Sequence, residues 1–277
     1  MAAAKLTPNG DPRLTEVIND LLTTVRTFIR KNHVTHDEYR RAIAFMLETA
    51  EKGEIPLLFD VLLESTVDQV DSIGRRGTET SVEGPFYSPG APILKSPCVL
   101  PHRANEPGDI LFLSGTVRSV EGEPLAGAVL DLWQSDAQGA YSHFNIAEAQ
   151  APWNLRGRVI AGPKGEFEVQ TWVPSPYQVP KDGPTGALLA GTGRHPWRPA
   201  HLHARITHEG CESLTTQIFF TGDPWIDSDV VGAVKQSLIV TLEKHADAAD
   251  LRKRGVDKPY CTINYDFALP RAMRKAA

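Results

Sequence analysis

The chain has 277 residues, 41% hydrophobic and 23% charged, a globular balance with enough apolar material for one large or two ordinary domains. A net charge of −5 and a pI near 6.0 argue against nucleic acid or an anionic membrane as the main partner. Cys98, Cys211 and Cys261 are odd in number and far apart, which excludes a disulfide scaffold and a Cys-based zinc site and leaves reduced thiols in a cytoplasmic protein as the expectation.

The first residues, Met1 to Pro8, carry no apolar run behind a basic start, so no signal peptide is expected. No later stretch reaches the ~20 apolar residues of a membrane span. From Leu14 to Val70 the pattern is helical. Leu14, Val17, Ile18, Leu21, Leu22, Val25, Phe28 and Ile29 recur mostly at spacings of three and four. Thr35 and Glu38 predict a capping box that opens a second helix striped by Tyr39, Ile43, Met46 and Leu47. Gly53 and Pro56 interrupt the pattern, and Leu57 to Val70 resumes it. Residues 74–101 have the Gly, Ser and Pro content of a linker, yet Gly84-Pro85-Phe86-Tyr87 puts aromatics there that should be buried against a pocket.

Beyond Asp109 the period becomes that of strands: Ile110–Val117, Ala128–Gln134, Arg156–Ile160, Phe167–Val173, His201–Thr207 and Leu214–Phe220. A further helix is expected over Asp229–Ala246 and a last strand over Cys261–Phe267. The fold expected is α+β: a helical dimerisation and linker domain over residues 1–100, then an antiparallel β-sandwich catalytic domain with a late helix over residues 101–277.

His201-Leu202-His203 is the pattern that carries chemistry. On a strand, residues two apart point to one face, so both imidazoles can reach one ion. Pro196 and Pro199 bar a helix through the approach. Imidazole alone suits Zn, Cu, Fe and Ni, which leaves a zinc or copper enzyme and a non-catalytic metal-binding β-sandwich module as rivals. Two tyrosines narrow the choice. Tyr141 follows a strand bearing Trp133, and Tyr177 sits in the proline-rich segment Pro174–Pro180. Phenolates are hard anionic donors, a poor match to structural zinc and a good one to a trivalent ion, which points to Fe³⁺. Two phenolates and a hydroxide balance three positive charges while two neutral imidazoles complete the donors.

Arg198-Pro-Ala-His-Leu-His203, Gly139-Ala-Tyr-Ser-His-Phe144 and a Pro-Tyr loop ahead of Gly193-Arg-His-Pro196 resemble the intradiol ring-cleavage dioxygenases, and within them the catechol, chlorocatechol and hydroxyquinol 1,2-dioxygenase branch. The likeness extends over nearly the whole chain. It implies Fe³⁺ held by Tyr141, Tyr177, His201 and His203, with Tyr177 as the tyrosinate displaced by substrate. It implies Arg198 and Gln217 as the groups that stabilise charge on the ring. Leu57, Asp60, Val82, Gly84, Pro85, Phe86, Val179 and Pro180 match the family's substrate pocket, together with Arg198. The substrates implied are a catecholic ring and O₂. The assembly implied is a homodimer through the helical domain, with a phospholipid held between its helices in some relatives. Asp60 in the pocket would favour the extra hydroxyl of hydroxyquinol, whose product is maleylacetate, and Asp227–Asp229 also resemble that type. Catechol and chlorocatechols, opened to cis,cis-muconates, are the alternative substrates.

Overall fold

The computed structural model describes residues 10–144 and 150–272 and divides the chain into two compact units, residues 1–53 and residues 54–277. The Met1–Pro8 stretch lies outside the described residues. The first unit contains α1 (Pro12–Lys31) and α2 (His36–Glu51). Asp11 caps α1 by accepting the N–H groups of Arg13 and Leu14, with proline at the helix start. The capping box of α2 is present in both directions, Thr35 Oγ1 accepting from Glu38 N and Glu38 Oε2 from Thr35 N. The apolar stripe of α1 is open to solvent along its length, with Leu21 at 53% and Phe28 at 58% exposure.

The second unit begins with α3 (Ile55–Phe59), a π-helical turn (Asp60–Glu64) and α4 (Ser65–Asp71). The strands are β1 (Ile93–Lys95), β2 (Cys98–Val99), β3 (Ile110–Ser119), β4 (Val129–Gln134), β5 (Arg156–Ile160), β6 (Glu166–Trp172) and β7 (Tyr177–Gln178). After α5 (Pro184–Gly191) come β8 (Trp197–Arg198), β9 (His201–Thr207), β10 (Leu214–Phe220), β11 (Ile239–Val240) and β12 (Glu243–His245). Then follow α6 (Ala248–Arg254), β13 (Tyr260–Asn264) and β14 (Phe267–Leu269). One sheet runs β1-β5-β4-β9-β10-β11 and the other β12-β13-β3-β6-β2, with β14 beside the far end of β3. Leu130, Leu132, Leu202, Ala204 and Ile218 of the first sheet share a single core with Leu111, Leu113, Val169 and Ile263 of the second. The result is a two-sheet sandwich.

Three expectations need correction. The sandwich is antiparallel at its centre and between β12 and β13, but not throughout. β1, β2, β11, β13 and β14 all join in parallel. These strands come from the linker and the chain's tail, which return to the sheets over long connections rather than through hairpins. Next, Asp229–Ala246 is not a helix. The Asp229 carboxylate accepts the N–H groups of Val231 and Ala233, and Gly232 adopts a left-handed conformation. Val231, Ala233 and Leu238 enter a satellite core from an irregular segment. Finally, Cys261–Phe267 is two strands. Asp266 takes the Thr116 N–H with its side chain, which jogs the ladder between β13 and β14.

Along β9 the two-residue period separates two functions. Leu202, Ala204 and Ile206 face the core, so His201 and His203 stand on the opposite face, also buried. β4 and β10 repeat this, with Trp133 and Gln217 paired in register with His203. The linker covers that outer face. Ser81 N donates to Thr215 O, Thr216 Oγ1 to Glu79 O and Gln217 Nε2 to Val82 O. Leu202 lies between the two histidines and is wholly buried. Leu202→Ala is expected to remove ~2–5 kcal/mol of unfolding free energy, read as a lower denaturant midpoint with an unchanged m-value.

Candidate active site

Four side chains meet on the outer face of β9. The Nε2 atoms of His201 and His203 are 3.1 Å apart, and Tyr141 Oη lies 3.2 Å from His203 Nε2 and 3.5 Å from His201 Nε2. The Tyr177 ring is 5.4 Å from that of Tyr141 and 5.6 Å from that of His201, centroid to centroid. The two histidines share β9 and the tyrosines come from two other segments, and each has a local reason for its place. His203 stacks on Trp133 at 4.6 Å. His201 Nδ1 donates to the Pro199 carbonyl at 2.7 Å, which leaves the Nε2 lone pair aimed at the cluster.

Tyr141 rides on a loop that Asp136 organises by accepting the Gln138 and Ala140 N–H groups. Gly139 has φ +81°, and a Cβ there would lie 2.8 Å from the Cβ of Tyr177. The glycine of the Gly-x-Tyr motif thus lets the two tyrosine-bearing segments touch. Tyr177 pairs in register with Arg198 across β7 and β8, which brings the phenol and the guanidinium together.

The buried charges are compensated in detail. Arg198 donates through Nε and Nη2 to the two oxygens of Asp229, each at 3.1 Å, and through Nη2 to Gln217 Oε1 at 2.9 Å. The Arg198 and Asp229 side chains are only 3% and 1% exposed. Nη1 is directed at the cluster, 3.2 Å from His201 Nε2. Burial and then the Arg198 charge push His201 down to about 3, and burial and His201 hold His203 well below the ordinary imidazole range. Both rings are therefore neutral. Burial also raises both phenols, with Tyr177 adding to the effect on Tyr141 and Arg198 opposing it at Tyr177. A cation is required to make phenolates of them.

The donor set fits a metal ion. Nitrogen or oxygen ligands about 2.1 Å from one ion and at right angles lie about 3 Å apart, which is the spacing of these polar atoms. Among the described residues no group of three or more His, Cys, Asp or Glu converges, so a metal at the paired imidazoles needs the phenols.

A cavity opens beside Tyr177 and Arg198. Leu57, Asp60, Val82, Gly84, Pro85, Phe86, Val179 and Pro180 all line it, so the structure brings together every residue the sequence suggested for the pocket. Gly84 has φ +69° and sits against His203, and Phe86 stacks on Tyr141 at 4.5 Å. Gln217 stands behind Arg198, 3.4 Å from His203 Nδ1.

Sequence reasoning missed four participants. Glu64 and Val61 line the cavity from the π turn, and Glu64 follows Leu57 and Asp60 at seven and four residues, a spacing that could have found it. Val231 lies in the segment 229–246, whose apolar spacing suits a helix and so conceals it. Arg156, wholly buried, donates to Phe86 O, Ser142 O and Ser142 Oγ and so ties the linker to the Tyr141 loop. Burial lowers it only to about 10, so it remains charged at neutral pH. Nothing in the sequence distinguishes it from any other arginine.

This geometry defines a two-sheet sandwich with a buried cluster of two tyrosines and two histidines beside a cavity. The chain belongs to the intradiol ring-cleavage dioxygenases, a catechol-type 1,2-dioxygenase family. The family model described as catechol dioxygenase N terminus matches residues 11–78, and the one described as dioxygenase matches residues 82–270. The chain is 42% identical over 237 residues to chlorocatechol 1,2-dioxygenase of Rhodococcus opacus, covering 85% of this chain and 92% of that protein. The structure of 3-chlorocatechol 1,2-dioxygenase from Rhodococcus opacus 1CP superposes with a TM-score of 0.85 at 38% identity, covering 94% of this chain and 99% of the other. Hydroxyquinol 1,2-dioxygenase from Pseudomonas putida DLL-E4 superposes with the same TM-score, 0.85, at 35% identity, covering 96% and 94%.

The Arg198–Asp229 pair yields a direct test. Asp229→Ala leaves a buried guanidinium without its counter-ion and should cost ~3–5 kcal/mol of stability. Asp229→Asn should cost less, because the amide oxygen still accepts a hydrogen bond. Burial raises the Asp229 carboxyl, but the Arg198 charge and the hydrogen bonds to Asp229 outweigh it and leave the group lowered. Its stabilisation is therefore complete above the unfolded carboxyl value and lost as pH falls through the lower folded one. Urea denaturation from pH 7 into acid should show the gap between wild type and Asp229→Ala closing.

Proposed function

We propose that the protein binds one Fe³⁺ through Tyr141, Tyr177, His201 and His203 and uses O₂ to open a catecholic ring between its two hydroxyl-bearing carbons. The product is a cis,cis-muconate type diacid. The single observation that carries this reading is the convergence of two phenols and two neutral imidazoles, at 3.1–3.5 Å for three of the four, beside a cavity lined by Arg198. When bound, ferric iron supplies the Lewis acidity that holds the diol as its dianion and draws electron density from the ring toward attack by O₂.

The chain's own residues do the rest. Tyr177 Oη, which would be a phenolate with the cation bound, would accept one diol proton, a role suited to a group whose ordinary pKa is near 10. Arg198 has Nε and Nη2 engaged by Asp229 and Gln217, so Nη1 is the nitrogen available to oppose negative charge that develops on the ring. Phe86, Val82 and Pro85 exclude water from the reacting face.

The ring we assign first is hydroxyquinol, opened to maleylacetate, because Asp60 faces the cavity and a site built for a hydroxyl discriminates against rings that lack it. The similarity to the chlorocatechol enzyme at 42% identity favours a second reading, a chlorinated catechol. For the division of labour, we assign residues 1–100 to assembly and one pocket wall, and residues 101–277 to the metal donors. The unpartnered stripe of α1, with Leu21 and Phe28 more than half exposed, supports a homodimer through the helices, with a phospholipid held between them. Among the described residues no helix is long and apolar enough to cross a membrane.

Several measurements decide these points. One O₂ should be consumed per ring, with both oxygen atoms in the diacid; a yellow semialdehyde would mean cleavage outside the diol. Purified protein should carry iron and a visible tyrosinate band. Tyr177→Phe should shift that band and His201→Ala should lose most of the iron, whereas unchanged spectra or zinc alone would refute the metal assignment. Arg198→Ala should lower kcat more than it raises KM, as expected for a charge needed only during reaction. Comparing kcat/KM for hydroxyquinol, catechol and a chlorocatechol, with Asp60→Ala alongside, ranks the substrates. Light scattering should give twice the 30.4 kDa chain mass.

A further inference from the structure

The π turn forms part of the cavity wall, and its fifth residue, Glu64, has no place in the chemistry described above. Its side chain lines the cavity with Asp60, four residues before it on the same face. Among the described residues neither carboxyl has a hydrogen-bond or ion-pair partner. Other charges lie within reach of Glu64 from each element around it, and each has a partner of its own. Asp68 of α4 is bound by Lys235 at 2.7 Å. Glu83 of the linker faces Arg205 at 3.6 Å. Arg198 of β8 is neutralised by Asp229. Among the described residues no spare cation is left for Glu64, and burial followed by the Asp60 charge raises its carboxyl to about 7.

A half-buried carboxyl without a partner costs free energy that ordinary folding would remove. In a cavity that takes a small ring, it is instead an acceptor held ready for a donor on that ring. A π turn is itself a frequent mark of functional sites, because its extra residue costs helical regularity. Among the described residues no ion pair joins either carboxyl to Arg198, whose Nη1 stands 3.2 Å from His201, so a ring that turns its diol to the donors offers the pair another edge. Two carboxyls there would repel an anionic substituent at that edge.

We propose that Glu64 is a specificity-determining residue. With Asp60 it forms a carboxyl pair that accepts a hydrogen bond from a donor on the far edge of the catecholic ring, a third hydroxyl, and turns away rings that carry a carboxylate at that edge. The proposal rests on the dioxygenase reading given above and extends it from Asp60 alone to a pair.

The test compares Glu64→Gln and Glu64→Leu with the wild-type, iron-loaded enzyme on hydroxyquinol, catechol and 3,4-dihydroxybenzoate. It measures kcat/KM and, without O₂, the equilibrium dissociation constant of each ring. Measured above pH 7, where the Glu64 carboxyl is ionised, loss of a charged acceptor is worth about ten- to a hundredfold in discrimination. The preference for hydroxyquinol over catechol should fall by that factor in Glu64→Leu and by less in Glu64→Gln, whose amide oxygen still accepts. In both variants 3,4-dihydroxybenzoate should gain relative to catechol. Glu64→Gln is nearly isosteric, which guards against a Leu variant that fails to fold. If the enzyme opens catechol but both ratios stay unchanged in both variants, the role of Glu64 is refuted while the dioxygenase reading stands. If wild-type protein opens none of the three rings, the dioxygenase reading falls first and this proposal with it.

Discussion

The period of a single strand governs this molecule. Successive side chains on β9 alternate between two faces, and both faces are buried over His201–Ala204. Leu202, Ala204 and Ile206 seal the sandwich, which obliges His201 and His203 to stand outside it. Polar groups buried there need partners and a cover. The cover is the linker, strapped along β10 by the hydrogen bonds of Ser81, Thr216 and Gln217. A segment with the composition of a loop therefore completes the site as well as connecting two parts of the chain.

Electrostatics then sets what this chamber can hold. The imidazoles are driven neutral by burial and by Arg198, and the phenols are held protonated by burial. Such a chamber is poised for a strongly charged cation, since only that reverses the preference of the phenols. Arg198 is the fixed positive charge nearby, and Asp229 keeps it from being a liability. The same carboxylate takes two backbone N–H groups from the segment bearing Val231, so one residue fixes both a guanidinium and a stretch of pocket wall. The π turn contributes another part of the wall, with carboxyls that no cation among the described residues pairs.

Much of this was open to reading in the sequence, and the reason is locality. Thr35 and Glu38 mark a helix start because capping satisfies backbone groups within one turn. His201-Leu202-His203 predicts a shared face because strand geometry has a period of two. The β5, β9 and β10 spans follow from runs that need only local alternation and nearby breakers. The pocket set from Leu57 to Pro180 rested on resemblance to a family, and the fold brings those residues to one cavity.

What tertiary structure decided was everything that depends on partners distant in the chain. Apolar spacing over Asp229–Ala246 suits a helix, but Asp229 is engaged by Arg198, 31 residues earlier, and its remaining capacity turns the backbone away from one. Linker and tail strands run parallel because their neighbours are chosen by the return path of long connections, about which local pattern is silent. Arg156 acquires its importance from Phe86, 70 residues away. Glu64 becomes an unmatched carboxyl only because the cations around it are already paired elsewhere. The sequence alone determined which residues could share a face and which side chains could bind a hard metal ion. Only the folded chain decided which charges remain uncompensated, because compensation is a property of pairs that meet in space.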